Sequence, residues 1–176
     1  MKNLVIIGKV FPEPNSTAAG SRMIQLMDLF LTQNYQITFL STATISENSF
    51  DLSSKNISFQ NIVLNDSSFD ELIKNLNPDI VVFDRFNTEE QFGWRVSEQV
   101  PNAVKILDTE DLHFLRTARE KAFKQNRNLE HLDLINDVFK REIASILRCD
   151  LSLIISEFEM NLLIEKFRID ENILFY

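Results

Sequence analysis

Short apolar runs alternate with segments of helical spacing along the whole chain, and this alternation restricts the fold more than any other feature. The runs occupy residues 3–8, 36–40, 56–64, 80–83, 103–107, 151–155 and 172–175. Each is a few residues long and bounded by polar or turn-forming residues, which reads as a strand. Between them, apolar residues recur at intervals of three and four: Met23, Leu26, Met27, Phe30 and Leu31 within 20–33, then Phe69, Leu72, Ile73 and Leu76 around 67–75. Further helices are predicted over 87–99 (with Phe92, Val96 and Trp94 among its contacts), 112–124, 131–148 and 157–167. A strand followed by a helix and another strand forms a parallel pair with a right-handed crossover. The continuous apolar strand Leu4-Val5-Ile6-Ile7 suits a sheet covered on both sides. The expected fold is α/β: a doubly wound, mostly parallel Rossmann-like sheet of about seven strands with helices on both faces. At 176 residues this is one domain, 1–176, with no internal boundary.

Several classes drop out. A formal net charge of -8 argues against a general nucleic-acid binder, which needs a basic footprint. Cys149 is the single cysteine, so no intramolecular disulfide forms, in keeping with a reducing cytosol. It reads as a small buried hydrophobe. One cysteine and two histidines, His113 and His131, leave a protein zinc site short of ligands. Neither a metal nor a cofactor is predicted. No apolar run approaches the ~20 residues that cross a bilayer, and the N-terminal run lacks a signal-peptide pattern. A cytoplasmic location is expected, with peripheral contact to the inner membrane left open.

Ligands of open α/β sheets bind beyond the carboxyl ends of the strands, so polar residues there are the candidates. The first loop lacks Gly-x-Gly-x-x-Gly, because Gly8 and Gly20 stand too far apart. That argues against an epimerase of the dinucleotide-binding type. Gly20-Ser21-Arg22 is predicted to open a helix whose N–H groups could receive an anion or a sugar hydroxyl. The other reading is a tight helix start with Arg22 as a surface charge. Asp84-Arg85 follows the strand at 80–83 and is either a ligand-facing pair or an ion pair in a turn. After the strand at 103–107 come Asp108, Thr109, Glu110, Asp111, His113 and Arg116. Asp108 or Thr109 is a candidate N-cap, and Glu110 and Asp111 suit the positive end of a helix. The same carboxylates could bind sugar hydroxyls or act as a general base. His113 and Arg116, three apart, share a helix face, and Arg suits phosphate or carboxylate. Ser156 reads as a helix cap followed by Glu157, again at a strand end. No Gly-x-Ser-x-Gly elbow is present.

In order along the chain, several motifs resemble the N-terminal domain of GT-B glycosyltransferases, in particular the large retaining family 4 and its relatives. Ile6-Ile7-Gly8 leads into the proline loop Phe11-Pro12-Glu13-Pro14 and then Ala18-Ala19-Gly20-Ser21-Arg22. Asn34-Tyr35-Gln36-Ile37-Thr38-Phe39 stands where that family shows Gly-His-x-Val-Thr-Val. Pro78-Asp79-Ile80-Val81 resembles its Pro-Asp-Ile-Val strand, and Asp108-Thr109-Glu110-Asp111-Leu112-His113 its Asp-x-x-Asp-x-His segment. Asp150-Leu151-Ser152-Leu153-Ile154-Ile155-Ser156-Glu157-Phe158-Glu159 resembles Asp-x-Val-Ile-x-Val-Ser-x-x-Glu.

The resemblance implies a lobe that binds the acceptor, with the nucleotide-sugar site on a C-terminal domain outside this chain. Asp108, Asp111 and His113 would be catalytic. Gly20 would border the donor phosphates, and Ser156 and Glu157 would sit near the cleft floor; by their positions alone, Arg22, Asp84, Arg85 and Arg116 join them as substrate-binding candidates. The implied reaction transfers a sugar from a nucleotide-sugar donor to a saccharide or lipid-linked acceptor, with this chain inactive alone. Homodimerisation is left open. The alternative is a stand-alone, non-catalytic flavodoxin- or Rossmann-like binding module.

Overall fold

The computed structural model describes residues 2–176. Seven strands form one sheet in the order β3-β2-β1-β4-β5-β6-β7, and every pairing is parallel. The strands are β1 (Lys2–Gly8), β2 (Tyr35–Ser41), β3 (Ser58–Asn61), β4 (Ile80–Asp84), β5 (Val104–Asp108), β6 (Leu151–Leu153) and β7 (Leu174–Phe175). The order reverses between β1 and β4, so a crevice opens there above the carboxyl ends. This is the expected doubly wound, Rossmann-like architecture.

Successive side chains of a strand point to opposite faces, and β1 shows the result. Val5 and Ile7 enter one core, with Val81, Phe83 and Leu107. Leu4 and Ile6 enter the other, with Phe39, Val82 and Ile106. The helices are divided unevenly between these cores. Helix α1 (Ala18–Thr32) supplies Met23 and Met27 to the second. The first is covered by α2 (Ser68–Leu76), α3 (Phe86–Gln99), α4 (His113–Lys124), α5 (His131–Leu134), α6 (Asp137–Arg148) and α7 (Glu157–Asn161).

Four local expectations need correction. The helix predicted over 131–148 is two: Asn136 breaks it, accepting the Phe139 N–H at 3.0 Å as the N-cap of α6. Strand β3 is four exposed edge residues, and Ile57 and Ile62 are buried on either side of it. Helix α1 begins two residues before Gly20, capped by Thr17. Trp94 is 51% exposed, with the Arg95 guanidinium 4.7 Å from its ring, and contributes nothing to the core. Cys149 is buried as expected, and desolvation pushes its thiol up to about 12.

Candidate functional site

Parallel strands place all their carboxyl ends on one rim, so the segments after β1, β4, β5 and β6 open there together. Asp84 and Asp108 end β4 and β5 and are paired in register across the sheet. Both are buried. The Lys9 N–H donates to Asp84 Oδ2 at 3.0 Å, while Arg85 Nε stands 3.6 Å from Oδ1. Arg22 reaches over from α1 and donates through Nε and Nη2 to Asp108 Oδ1, at 3.1 and 2.9 Å. Glu110 follows Asp108 by two residues and completes an acidic cluster with the two aspartates.

The cluster is under-satisfied. Asp84 Oδ1, Asp108 Oδ2 and Glu110 Oε1 are buried without a hydrogen-bond donor, and so is Asn87 Oδ1 in the first turn of α3. Leaving a buried acceptor unpaired costs about 1–3 kcal/mol, so four at one rim form a local concentration of unmet acceptors. Burial raises the Asp84 carboxyl above its usual range, opposed by Arg85 and by the Lys9 N–H. Burial, then the charges of Asp108 and Asp84, push Glu110 up to about 7. No group of three or more His, Cys, Asp or Glu side chains among the described residues is arranged to hold a metal ion. Hydroxyl or ammonium donors are the chemistry these oxygens suit.

The backbone is strained at the same points. Arg85 has φ 71 and ψ 159, a region that is essentially glycine-only and costs about 1–3 kcal/mol. A 2.8 Å hydrogen bond from its N–H to the Asp108 carbonyl holds it there. Glu110 has φ 63. Strain of this kind gathers at binding and catalytic sites.

Gly20 owes its identity to a close approach. A Cβ there would stand 2.5 Å from the Glu13 backbone, so the proline loop can lie on α1 only if this residue has none. Its N–H is not free, as the sequence reading had it, but donates to Thr17 Oγ1 at 2.9 Å. The loop and helix enclose a cavity of about 180 Å³, lined by Val10, Thr17, Gly20, Met23, Asp84 and Arg85 among others. Gly20, Asp84 and Arg85 line this one cavity together, with Arg22 tied to Asp108, the residue paired with Asp84.

Asp111, His113 and Arg116 form a second network beside the first. Neither Asp108 nor Thr109 caps α4; the Thr109 hydroxyl donates to the Leu153 carbonyl at 2.8 Å. The caps are two buried glutamates from other helices. Glu142 accepts the N–H groups of His113 and Phe114 at 3.1 and 2.9 Å, and Glu159 accepts that of Leu112 at 3.1 Å. The His113 ring packs edge-on against Phe86, with Nδ1 3.0 Å from the Asp111 carbonyl and 3.4 Å from Glu142 Oε1. Asp111 pairs with Arg116 at 3.1 Å. Ser156 caps α7, accepting the Glu159 N–H at 3.2 Å, and Glu157 is exposed.

From the sequence, Glu110 is either a helix-start acid or one of the rim carboxylates, whereas Glu142 and Glu159 are not foreseen as anchors. A signal existed for the anchors. Glu142 sits on the apolar stripe of Val138, Phe139, Ile143 and Ile146, where an unpaired charge would be costly. Glu159 completes a Ser-x-x-Glu capping pattern, although its side chain serves the neighbouring helix.

No family model matches the chain, and no curated protein matches it. Solved structures do, over nearly its whole length. The lipopolysaccharide outer core galactosyltransferase WaaB, in its apo form, superposes with a TM-score of 0.60 at 11% identity, over 99% of this chain and 44% of that one. The UDP-GlcNAc 2-epimerase from Methanocaldococcus jannaschii gives 0.55 at 15%, over 99% and 45%. UGT2 from Phytolacca americana gives 0.54 at 7%, over 99% and 51%. The chain spans about half the length of these structures. At such identities the likeness is one of fold, and the chain has the Rossmann-like fold found in GT-B glycosyltransferases and in UDP-GlcNAc 2-epimerases.

Proposed function

We propose that this chain is the acceptor-binding lobe of a glycosyltransferase that moves a sugar from a nucleotide sugar to a hydroxyl of a saccharide or lipid-linked acceptor. The observation that carries the reading is the set of buried, donor-free carboxylate oxygens on Asp84, Asp108 and Glu110 at the strand-end rim, where Asp84 lines the cavity. A sugar's adjacent hydroxyls supply the several donors such a set needs. A carboxyl titrating near 7 is matched to accept a proton at neutral pH. As the acceptor oxygen bonds to the anomeric carbon, its proton passes to Glu110. The bond from that carbon to the donor phosphate breaks, and its electron pair leaves with the nucleotide.

Asp108 is the buried charge that Arg22 holds in place, and Asp84 orients the hydroxyl alongside Arg85. Asp111 with Arg116, and His113 beneath them, flank the acceptor. Ser156 and Glu157 border the same rim, and Gly20 lets the loop close over it. The donor binds on a second lobe outside this chain, so the chain alone binds saccharide without turnover. Peripheral membrane contact has a candidate face where Phe123, 85% exposed at the end of α4, lies beside Lys121 and Lys124.

An NMR titration of the chain with saccharides and with nucleotide sugars tests this. Saccharides are expected to shift Gly20, Asp84, Asp108–Arg116 and Ser156, an effect that Glu110→Gln and Asp108→Asn weaken. Shifts confined to other faces, or sugar transfer by the chain alone, would overturn it. The 2-epimerase neighbour favours a second reading, a lobe of a nucleotide-sugar epimerase. Shifts at this rim from nucleotide sugars and none from free saccharides would select it.

A further inference from the structure

A second cavity, also of about 180 Å³, lies next to the carboxylate crevice and is lined by Phe11, Ile45, Phe50, Leu52 and Phe59, with Ser49 and Asp51 at its edge. Phe11 lines both cavities. Its ring is 3% exposed and wedged against Phe39 at 5.4 Å and Phe59 at 5.9 Å. The two cavities are thus separated by one fixed aromatic ring.

Their walls are also joined. The Phe50 N–H donates to the Pro12 carbonyl at 2.8 Å, and the Ser46 hydroxyl donates to Glu13 Oε1 at 2.5 Å. The loop after β2 is thereby pinned to the proline loop that closes over Gly20. The one acid at the edge, Asp51, already accepts the Ser53 N–H and hydroxyl. At the mouth, Ile45 is 52% and Phe59 43% exposed, and Val10, which lines the polar crevice, is 49% exposed. Apolar side chains therefore line both cavities on either side of Phe11, and the second carries a single charged residue, Asp51, exposed at its edge.

We propose that this pocket receives the apolar part of an amphipathic acceptor, an alkyl or aryl glycoside whose sugar hydroxyls occupy the carboxylate crevice. The inference rests on the acceptor reading above and narrows it to acceptors with an aliphatic or aromatic group next to the reacting sugar. The fit in size is direct: an apolar cavity of about 150 Å³ takes a benzene ring. Each methylene removed from water is worth about fourfold in affinity when fully buried, from ~0.8 kcal/mol. The open mouth reduces that gain, so hexyl should exceed methyl by at least about tenfold.

The test is an NMR titration of the chain with methyl, hexyl and phenyl β-D-glucosides, repeated with Ile45→Asp and with Phe59→Ser. Both replaced residues are exposed and lie outside the carboxylate cluster. Expected are tighter binding of the hexyl and phenyl compounds, shifts at Phe11, Ile45 and Phe59, and loss of that advantage in both variants with methyl glucoside binding unchanged. Equal binding of methyl and hexyl glucoside, with shifts only at Asp84 and Glu110, would overturn the inference and leave the acceptor reading standing. Shifts at Phe11, Ile45 and Phe59 with none at the carboxylates would keep the pocket and remove that reading. No shift at Phe11, Ile45 or Phe59 with hexyl or phenyl glucoside overturns the inference outright.

Discussion

Replacing Glu110 with Gln should make the protein more stable at pH 8 while leaving it almost unchanged near pH 5. In the unfolded chain this carboxyl titrates at 4.5, and in the fold it is raised to about 7. Between those values the folded protein holds a proton that the unfolded chain has released. The neutral acid's contribution is therefore intact below pH 4.5 and is lost as the pH rises through 7. At full burial the difference corresponds to roughly 3 kcal/mol. Solvent reaches part of the side chain and screens the cost, so about 1–2 kcal/mol is expected. For a chain of this length that is a shift in Tm of roughly 2–8 °C. Asp84 is raised by the same burial and gives a slope of the same sign. It is present in both proteins, so the wild-type and Glu110→Gln difference isolates Glu110 and its coupling to Asp84. Urea melts of both proteins from pH 5 to 8 measure it. Parallel pH profiles, or a Glu110 carboxyl resonance titrating near 4.5, would refute the reasoning.

Other substitutions probe the supports of the site. Arg22→Ala strands the buried Asp108 charge and should cost about 3 kcal/mol at pH 7, with Arg22→Lys recovering part of it in the same melts. Glu142→Ala removes the acceptors of the His113 and Phe114 N–H groups and should cost about 3 kcal/mol. Hydrogen exchange should show those two amides opening well before the strand core. Gly20→Ala puts a methyl into the Glu13 backbone and should destabilise by about 1–3 kcal/mol, with chemical-shift changes spread over residues 10–20 rather than through the sheet.

Much of the fold was legible because two different periodicities alternate without interruption. A strand such as Ile80–Asp84 is short, apolar and ends on a charge, and Asp84 is where the structure ends it. The rim was legible for the same reason, since a parallel sheet must bring its carboxyl ends together. What could not be read are contacts made across the chain. The caps of α4 come from residues 28 to 47 positions away, so the local candidates, Asp108 and Thr109, misled. Asn136 interrupts a periodic stretch, and its role as a cap depends on how the preceding turn packs. For Glu110 the sequence leaves helix-start acid and rim carboxylate undecided, because its left-handed backbone and its two buried neighbours exist only in three dimensions.

On the proposed function, hydroxyl donors of a sugar satisfy Asp84 Oδ1, Asp108 Oδ2 and Glu110 Oε1. A crystal structure of the chain soaked with a saccharide that binds it tests this most directly. Sugar oxygens are expected within hydrogen-bonding distance of at least two of those three atoms, between the proline loop and the end of β5. A sugar seated on any other face, with the three oxygens met by water alone, would contradict it.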